Sequence, residues 1–331
     1  MIRAAGIFIR KFPSKTKDCA LGSKVVRISV PEGIDDHIDI LAGLIDSEAT
    51  PYPDYELVFF HGRFEGFNPD LSIFERNDMP LGQVRSELTY PTRVAYDFHT
   101  NTIVVYDPGT AVCAIWSENI ESYPYWARAT PFRLGLSWIA DTFDGEFLHG
   151  ALIAQGDKGI VLAGKGGSGK STTAFAAWNA DFTLLSDDYF LCESGKMYPV
   201  YTRAKLLDAS YELIEANLKE FTLNPDIDGQ KRILDLDRAA LERYRNGVVV
   251  DAFVIPKLVE PAGISAVGSG TVMQNLAPYS LCGILGGTSR SMLRIKRAIS
   301  GKRGYILNLD KSAKKNVGLL YETLTSTVSS R

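Results

Sequence analysis

The chain has 331 residues, 45% of them hydrophobic and 23% charged, and a net charge of −3. Those figures suit about two ordinary globular domains and argue against attachment to nucleic acid or an anionic membrane through bulk charge, so neither partner is expected. The four scattered cysteines, Cys19, Cys113, Cys192 and Cys282, include no C-x-x-C pair, which speaks against a metal cluster or disulfide framework and for free thiols. No apolar run reaches the roughly 20 residues of a membrane span. The opening stretch 1–11 is too soon interrupted by charge for a signal peptide, and a cytoplasmic location is expected.

In chain order, residues 1–118 read as mostly strand. The β-branched and aromatic runs 25–30 and 55–60 are short strands, with a short helix and loop expected over 34–54. The apolar runs 93–98, 102–106 and 111–116 are separated by His99-Thr100-Asn101 and Asp107-Pro108-Gly109, which predicts a three-stranded meander. Pro131 opens a helix that carries Phe132, Leu136, Ile139, Ala140 and Phe143 on one face and ends at Asp144-Gly145. That helix is the expected join between a β-rich (α+β) domain, 1–130, and an α/β domain, 131–331. The runs 148–154 and 159–163 flank Gly156-Asp157-Lys158-Gly159 as two strands with a tight turn. Further on, the pattern predicts a helix over 172–178, a strand over 182–188, and a helix marked by Leu207, Tyr211, Ile214, Leu218 and Phe221. A buried strand at 248–254, a basic helix at 288–300, a strand at 304–309 and a last helix at 312–326 follow.

The most telling stretch is Gly164-Lys165-Gly166-Gly167-Ser168-Gly169-Lys170-Ser171, which fits G-x-x-x-x-G-K-[ST] between an expected strand and an expected helix. Its glycines let successive backbone N–H groups turn inward, and the following helix adds positive potential at its N-terminus. Gly164, Gly166, Gly167, Ser168, Gly169, Lys170, Ser171 and Thr172 are therefore candidate nucleotide-binding residues. In such a loop the lysine meets the β- and γ-phosphates of ATP and the serine hydroxyl meets Mg²⁺.

Asp187 and Asp188 end the expected strand 182–188, where a Mg²⁺-binding acid belongs. Two adjacent carboxylates allow one to hold the metal and the other to take the proton of an attacking hydroxyl. Asp187 is the candidate base, with Asp188 and Ser171 on the metal side, and the reverse assignment stays open. His149, just ahead of the strand pair, is a candidate only in company; His37, His61 and His99 read as structural. Lys205 and Arg203 are candidate phosphate neutralisers. Arg290, Arg294, Lys296 and Arg297 read first as the solvated face of a basic helix, although 290, 294 and 297 fall on one stripe.

The order His149-Gly150-Ala151-Leu152-Ile153, then the phosphate loop, then Leu185-Ser186-Asp187-Asp188 resembles the core of HPr kinase/phosphorylase, over roughly 147–190. Tyr201-Thr202-Arg203-Ala204-Lys205-Leu206 and Ala277-Pro278-Tyr279-Ser280…Gly286-Gly287 look like segments of a branch of that family, the serine kinases that modify lasso-type precursor peptides. The resemblance implies a phosphotransferase domain of the HPr kinase and phosphoenolpyruvate carboxykinase type. It implies ATP and Mg²⁺ as cofactors, a peptide or small-protein acceptor, and catalytic roles for His149, Lys170, Asp187, Asp188 and Lys205. It leaves homo-oligomerisation open. The chain shows no counterpart of the family's C-terminal glycine- and arginine-containing signature for phosphorolysis, which counts against a reverse reaction and against HPr as substrate; an HPr-type bifunctional kinase/phosphorylase and a non-transferase nucleotide-binding switch stay as alternative readings. Residues 1–130 carry no motif and stand as a peptide- or partner-binding domain.

Overall fold

A computed structural model describes residues 1–12, 14–34, 36–45, 52–63, 67–69, 91–97, 100–120, 123–214, 231–282 and 289–325. The protein is α/β with mixed sheets, and it divides into one compact unit built on Met1–Gly145 and another built on Glu146–Gly283 with Thr288–Arg331.

The first unit runs α1 (Ile2–Lys11), β1 (Ser14–Leu21), β2 (Lys24–Pro31), α2 (Asp36–Asp39), β3 (Leu44–Ile45), β4 (Tyr55–His61), β5 (Arg93–Asp97), β6 (Thr102–Asp107), β7 (Val112–Ser117), α3 (Tyr125–Ala129) and α4 (Arg133–Thr142). Its sheet has the order β3-β1-β2-β4-β7-β6-β5. The expected meander is there, β5 to β6 to β7, all antiparallel. The strands carry Val, Ile, Phe, Tyr and Trp because these fill a pleated, half-buried face. Phe60, Ala114 and Trp116 meet Ala4 and Ala5 of α1 in the core. The buried Trp116 ring keeps its polar tip satisfied by donating from Nε1 to the Gly62 carbonyl at 2.7 Å.

Two expectations need correction in this unit. The first residues form helix α1 rather than strand; β1 agrees with the mostly strand reading, although the pattern singles out no run there. Pro131 does not sit in the first turn of its helix: α4 begins at Arg133, and Phe132 before it is in the left-handed region at φ 57°. Its end is as expected, with Asp144 at φ 64° and the Gly145 N–H on the Ala140 carbonyl at 2.9 Å. His99 lies outside the described residues.

The second unit runs β8 (Glu146–Gln155), β9 (Lys158–Leu162), α5 (Lys170–Trp178), β10 (Thr183–Glu193), β11 (Lys196–Pro199), β12 (Arg203–Leu206), α6 (Asp208–Leu213), β13 (Arg232–Asp235), α7 (Arg238–Glu242), β14 (Val248–Lys257), β15 (Gly263–Val267), α8 (Ser269–Cys282), α9 (Ser289–Ile299), β16 (Arg303–Asn308) and α10 (Ala313–Thr325). The sheet order is β11-β10-β8-β9-β14-β16-β15. β14 lies parallel to both β9 and β16. β14 is buried over most of its length, which is why 248–254 reads as a near-continuous apolar run. β11 also pairs with β14, Met197 opposite Val248, so β10, β8, β9, β14 and β11 close on themselves. α5 packs on β8, β10, β14 and α10, through buried Ala174, Phe175 and Ala177. α8 and α9 pack on each other and on β8. A two-stranded ribbon, β12 with β13, pairs Lys205 with Ile233.

Of the helix expected around residues 207–221, Leu207 caps α6 and Tyr211 lies within it; Leu218, Phe221 and the Gly286-Gly287 pair lie outside the described residues. Ala277, Pro278, Tyr279 and Ser280 form the last turns of α8.

Candidate functional site

The glycine-rich loop 164–169 leaves β9 and enters α5, the strand–loop–helix setting that the G-x-x-x-x-G-K-[ST] pattern calls for. Gly169 caps α5 at φ 98°, in the left-handed region that favours glycine, and a Cβ there would lie 2.4 Å from Leu309 Cδ1, so the end of Leu309 would have to move for any larger residue. Lys170 is buried, and its Nζ donates to the carbonyls of Gly164 at 2.7 Å and Lys165 at 3.0 Å. The ammonium thus closes the loop on itself. Burial pulls its pKa down, against the pull of Asp187 and Asp188. Gly166 and Gly167 have open space where a Cβ would stand, room that a bound anion can use. Thr172, one residue past Ser171, shares a 2.8 Å hydrogen bond with Ser210 of α6.

The two aspartates do not end their strand. β10 continues through Tyr189 to Glu193, and the pair sits at its middle, opposite Ala151 and Gly150 of β8. Neighbouring strand residues normally point to opposite faces. Here a bulge between Leu184 and Ser186 and a positive φ of 103° at Asp188 break that alternation. The buried Ser186 hydroxyl donates to the Tyr189 carbonyl at 2.6 Å across the irregular stretch. As a result both carboxylates reach one residue: the Lys205 N–H donates to Asp187 Oδ2 at 3.0 Å, while Lys205 Nζ is paired with Asp188 Oδ2.

The two acids differ in their other partners. Ser171 donates from Oγ to Asp187 Oδ1 at 2.8 Å, tying the start of α5 to β10. Burial pushes the Asp187 carboxyl up, and the charge of Asp188 adds to that push. Burial acts the same way on Asp188, but Lys205 and then His149 outweigh it and hold its carboxyl below the usual range. His149 lies within β8, not ahead of it, opposite Tyr189; its Nδ1 is 3.8 Å from Asp188 Oδ1, and its ring stands edge-on to Tyr189 at 5.1 Å. The His149 N–H donates to Ser280 Oγ at 3.0 Å, which brings the α8 segment to the same strand.

Ser171 Oγ and the Asp187 carboxylate are adjacent hard oxygen donors, a set that suits Mg²⁺, which takes few protein ligands and keeps waters and phosphate oxygens. Among the described residues no group of three or more His, Cys, Asp or Glu offers a denser metal site.

His149, Lys170, Ser171, Asp187, Asp188 and Lys205 are thus drawn together from β8, α5, β10 and β12. Arg203 is directed elsewhere, 3.6 Å from Asp235 across the ribbon. The basic stripe on α9 is divided: Arg290, Lys296 and Arg297 are exposed, while Arg294 is buried and paired with Glu146 Oε2 at 3.4 Å, so it is no part of a solvated face. Lys231 was missed. It precedes β13, two residues before the partner of Lys205, and its charge acts on Asp187, Asp188 and Lys170. Its place on the Lys205 face follows only from the β12–β13 pairing, which joins segments far apart in the chain. Among the described residues no helix is long and apolar enough to cross a membrane. Compared with known proteins, the chain matches no family model and no curated protein.

Proposed function

We propose that the second unit is a phosphotransferase of the HPr kinase type, which uses ATP and Mg²⁺ to phosphorylate a serine hydroxyl of a peptide or small protein, with a lasso-type precursor peptide as the favoured acceptor. The observation that carries this reading is the Ser171–Asp187 hydrogen bond, which joins the phosphate loop to one member of an acid pair whose other member is held by Lys205. A nucleotide-binding turn by itself needs only the loop. An acid pair with two different environments serves both a metal and an incoming hydroxyl.

The geometry favours the reverse of the assignment first expected for the two acids. Asp187, bonded to Ser171, takes the metal side. Asp188, kept ionised beside Lys205 and His149, takes the hydroxyl side. ATP would supply the phosphoryl group and Mg²⁺ would neutralise charge on its oxygens. The N–H groups of 166–170 and Lys170 hold the phosphates in line for attack. Asp188 orients the serine hydroxyl and accepts its proton as the oxygen–phosphorus bond forms and the bond to the ADP oxygen breaks. Lys205 and Lys231 offer positive charge where the equatorial oxygens gather negative charge. The test is incubation with labelled ATP and serine-containing precursor peptides, read by mass spectrometry. A phosphoserine on the acceptor supports the reading. ATP hydrolysis with no acceptor modified, whatever peptide is offered, points to a nucleotide-dependent switch.

A further inference from the structure

Residues 289–303, helix α9 and the turn into β16, carry Arg290, Arg294, Lys296, Arg297, Lys302 and Arg303 and no acid, in a chain of net charge −3. The inner side of α9 packs into the core through Ile295, Ala298 and Ile299, and there the Arg294 charge is met by Glu146. The outer side is different. Arg290, Lys296 and Arg297 are exposed, and so are Met292, at 42%, and Leu293, at 55%. Residues three and four apart are neighbours on a helix surface, so Arg290, Lys296 and Arg297 surround Leu293. Helix α8, packed beside α9, has no charged residue, so it brings no acid to these cations. Like charges at this spacing repel one another, and the leucine among them leaves apolar surface in water.

We propose that the outer side of α9 is a docking surface for an acidic peptide segment that also carries apolar side chains. Charge complementarity and the central leucine together set the occupant. Carboxylates of the segment neutralise Arg290, Lys296 and Arg297, and an apolar side chain between them covers Leu293 and Met292. The 11 residues of α9 span about 17 Å, which an extended peptide of about five residues covers. Other anionic partners fit less well. Single-stranded nucleic acid would use the cations, but it draws its second contact from aromatic rings stacked on bases, and α9 has no aromatic residue. A membrane surface calls for a helix with its wide apolar face turned outward, whereas α9 buries that face in the core.

Fluorescence anisotropy with a labelled peptide of about eight residues, alternating glutamate and leucine and long enough to cover the helix, tests this on the full chain. Two further peptides, with lysine in place of glutamate and with serine in place of leucine, separate the two halves of the argument. The variants are Leu293→Ser and Arg290→Gln/Lys296→Gln, all at exposed positions, so folding is not at risk. The expected result is binding of the glutamate–leucine peptide, weakened at least about fivefold in each variant, the scale of a half-buried leucine or of two surface ion pairs. Raising salt to about 0.5 M should weaken it too. The lysine and serine peptides should bind less tightly. If the wild type binds the lysine peptide as well as the glutamate peptide, or if both variants bind normally, α9 is a solvated face and the proposal falls. Preferred binding of phosphatidylserine vesicles or single-stranded RNA, lost in the same variants, would assign the face to that partner and overturn the proposal as well. No nucleotide is present in the assay, so its outcome is separate from that of the kinase reading.

Discussion

Replacing Lys205 by Met removes the ammonium that sits on Asp188 and keeps the apolar stem. Lys205 is buried, and its side chain and that of Asp188 are 8% and 16% exposed, so water cannot take over the lost charge. The carboxylate left behind also has Asp187 as its neighbour. Breaking a buried pair on one side costs about 3–5 kcal/mol, and the residual exposure of Asp188 places this case near about 3 kcal/mol. For a domain of roughly 150–250 residues that corresponds to about 6–12 °C in Tm. The cost has a defined pH dependence. Asp188 is held below its usual value in the folded protein, so its contribution to stability is present above the unfolded carboxylate value of about 3.9 and is lost as pH falls through the lower folded value. The gap between wild type and Lys205→Met should be wide at pH 7 and close below about pH 4. Adding Asp188→Asn should restore part of the loss, since no unpaired charge then remains. Urea titrations of the three variants and the wild type across pH measure all of this. A loss under about 1 kcal/mol at pH 7, with no coupling between the two substitutions, would refute the argument that Lys205 and Asp188 form a buried pair.

Three other predictions follow from particular contacts. Asp187→Asn should weaken the Mg²⁺ dependence of ATP binding, while Asp188→Asn should leave Mg·ATP binding near wild type and cripple transfer; calorimetry and mass spectrometry on both variants decide, and the opposite pattern would restore Asp187 as the base. Gly169→Ala should cost about 1–2 kcal/mol from the left-handed backbone alone, because the end of Leu309 can shift but φ cannot, whereas Gly166→Ala meets open space and should leave the Tm unchanged. In the first unit, Asp18 is fully buried and accepts two hydrogen bonds from Arg27, at 2.8 and 2.9 Å, so Asp18→Asn should destabilise that unit by about 2 kcal/mol in urea unfolding, the strength of hydrogen bonds to a charged group.

The glycine-rich turn between β9 and α5 was legible in the sequence because its determinants are local. Glycines, a lysine and a serine at fixed spacing act through their own backbone, and the flanking strand and helix are its immediate neighbours. The meander, the buried strand β14 and the helices α9 and α10 were legible for the same reason, since periodicity and turn residues lie within a few positions of one another. Helix α1 was not: its residues take sides only once a sheet exists to bury one face. The Asp187-Asp188 pair shows the limit most clearly. The sequence places two acids on a strand, but alternation would send them apart, and only the bulge and the positive φ at Asp188 turn both toward Lys205. Which acid meets Ser171 depends on how α5 packs against β10, and which lysines surround the pair depends on the β12–β13 ribbon. Those are contacts between distant segments, so charge and spacing along the chain could name Lys205 yet pass over Lys231, and could count Arg294 as exposed although Glu146 waits for it across the fold.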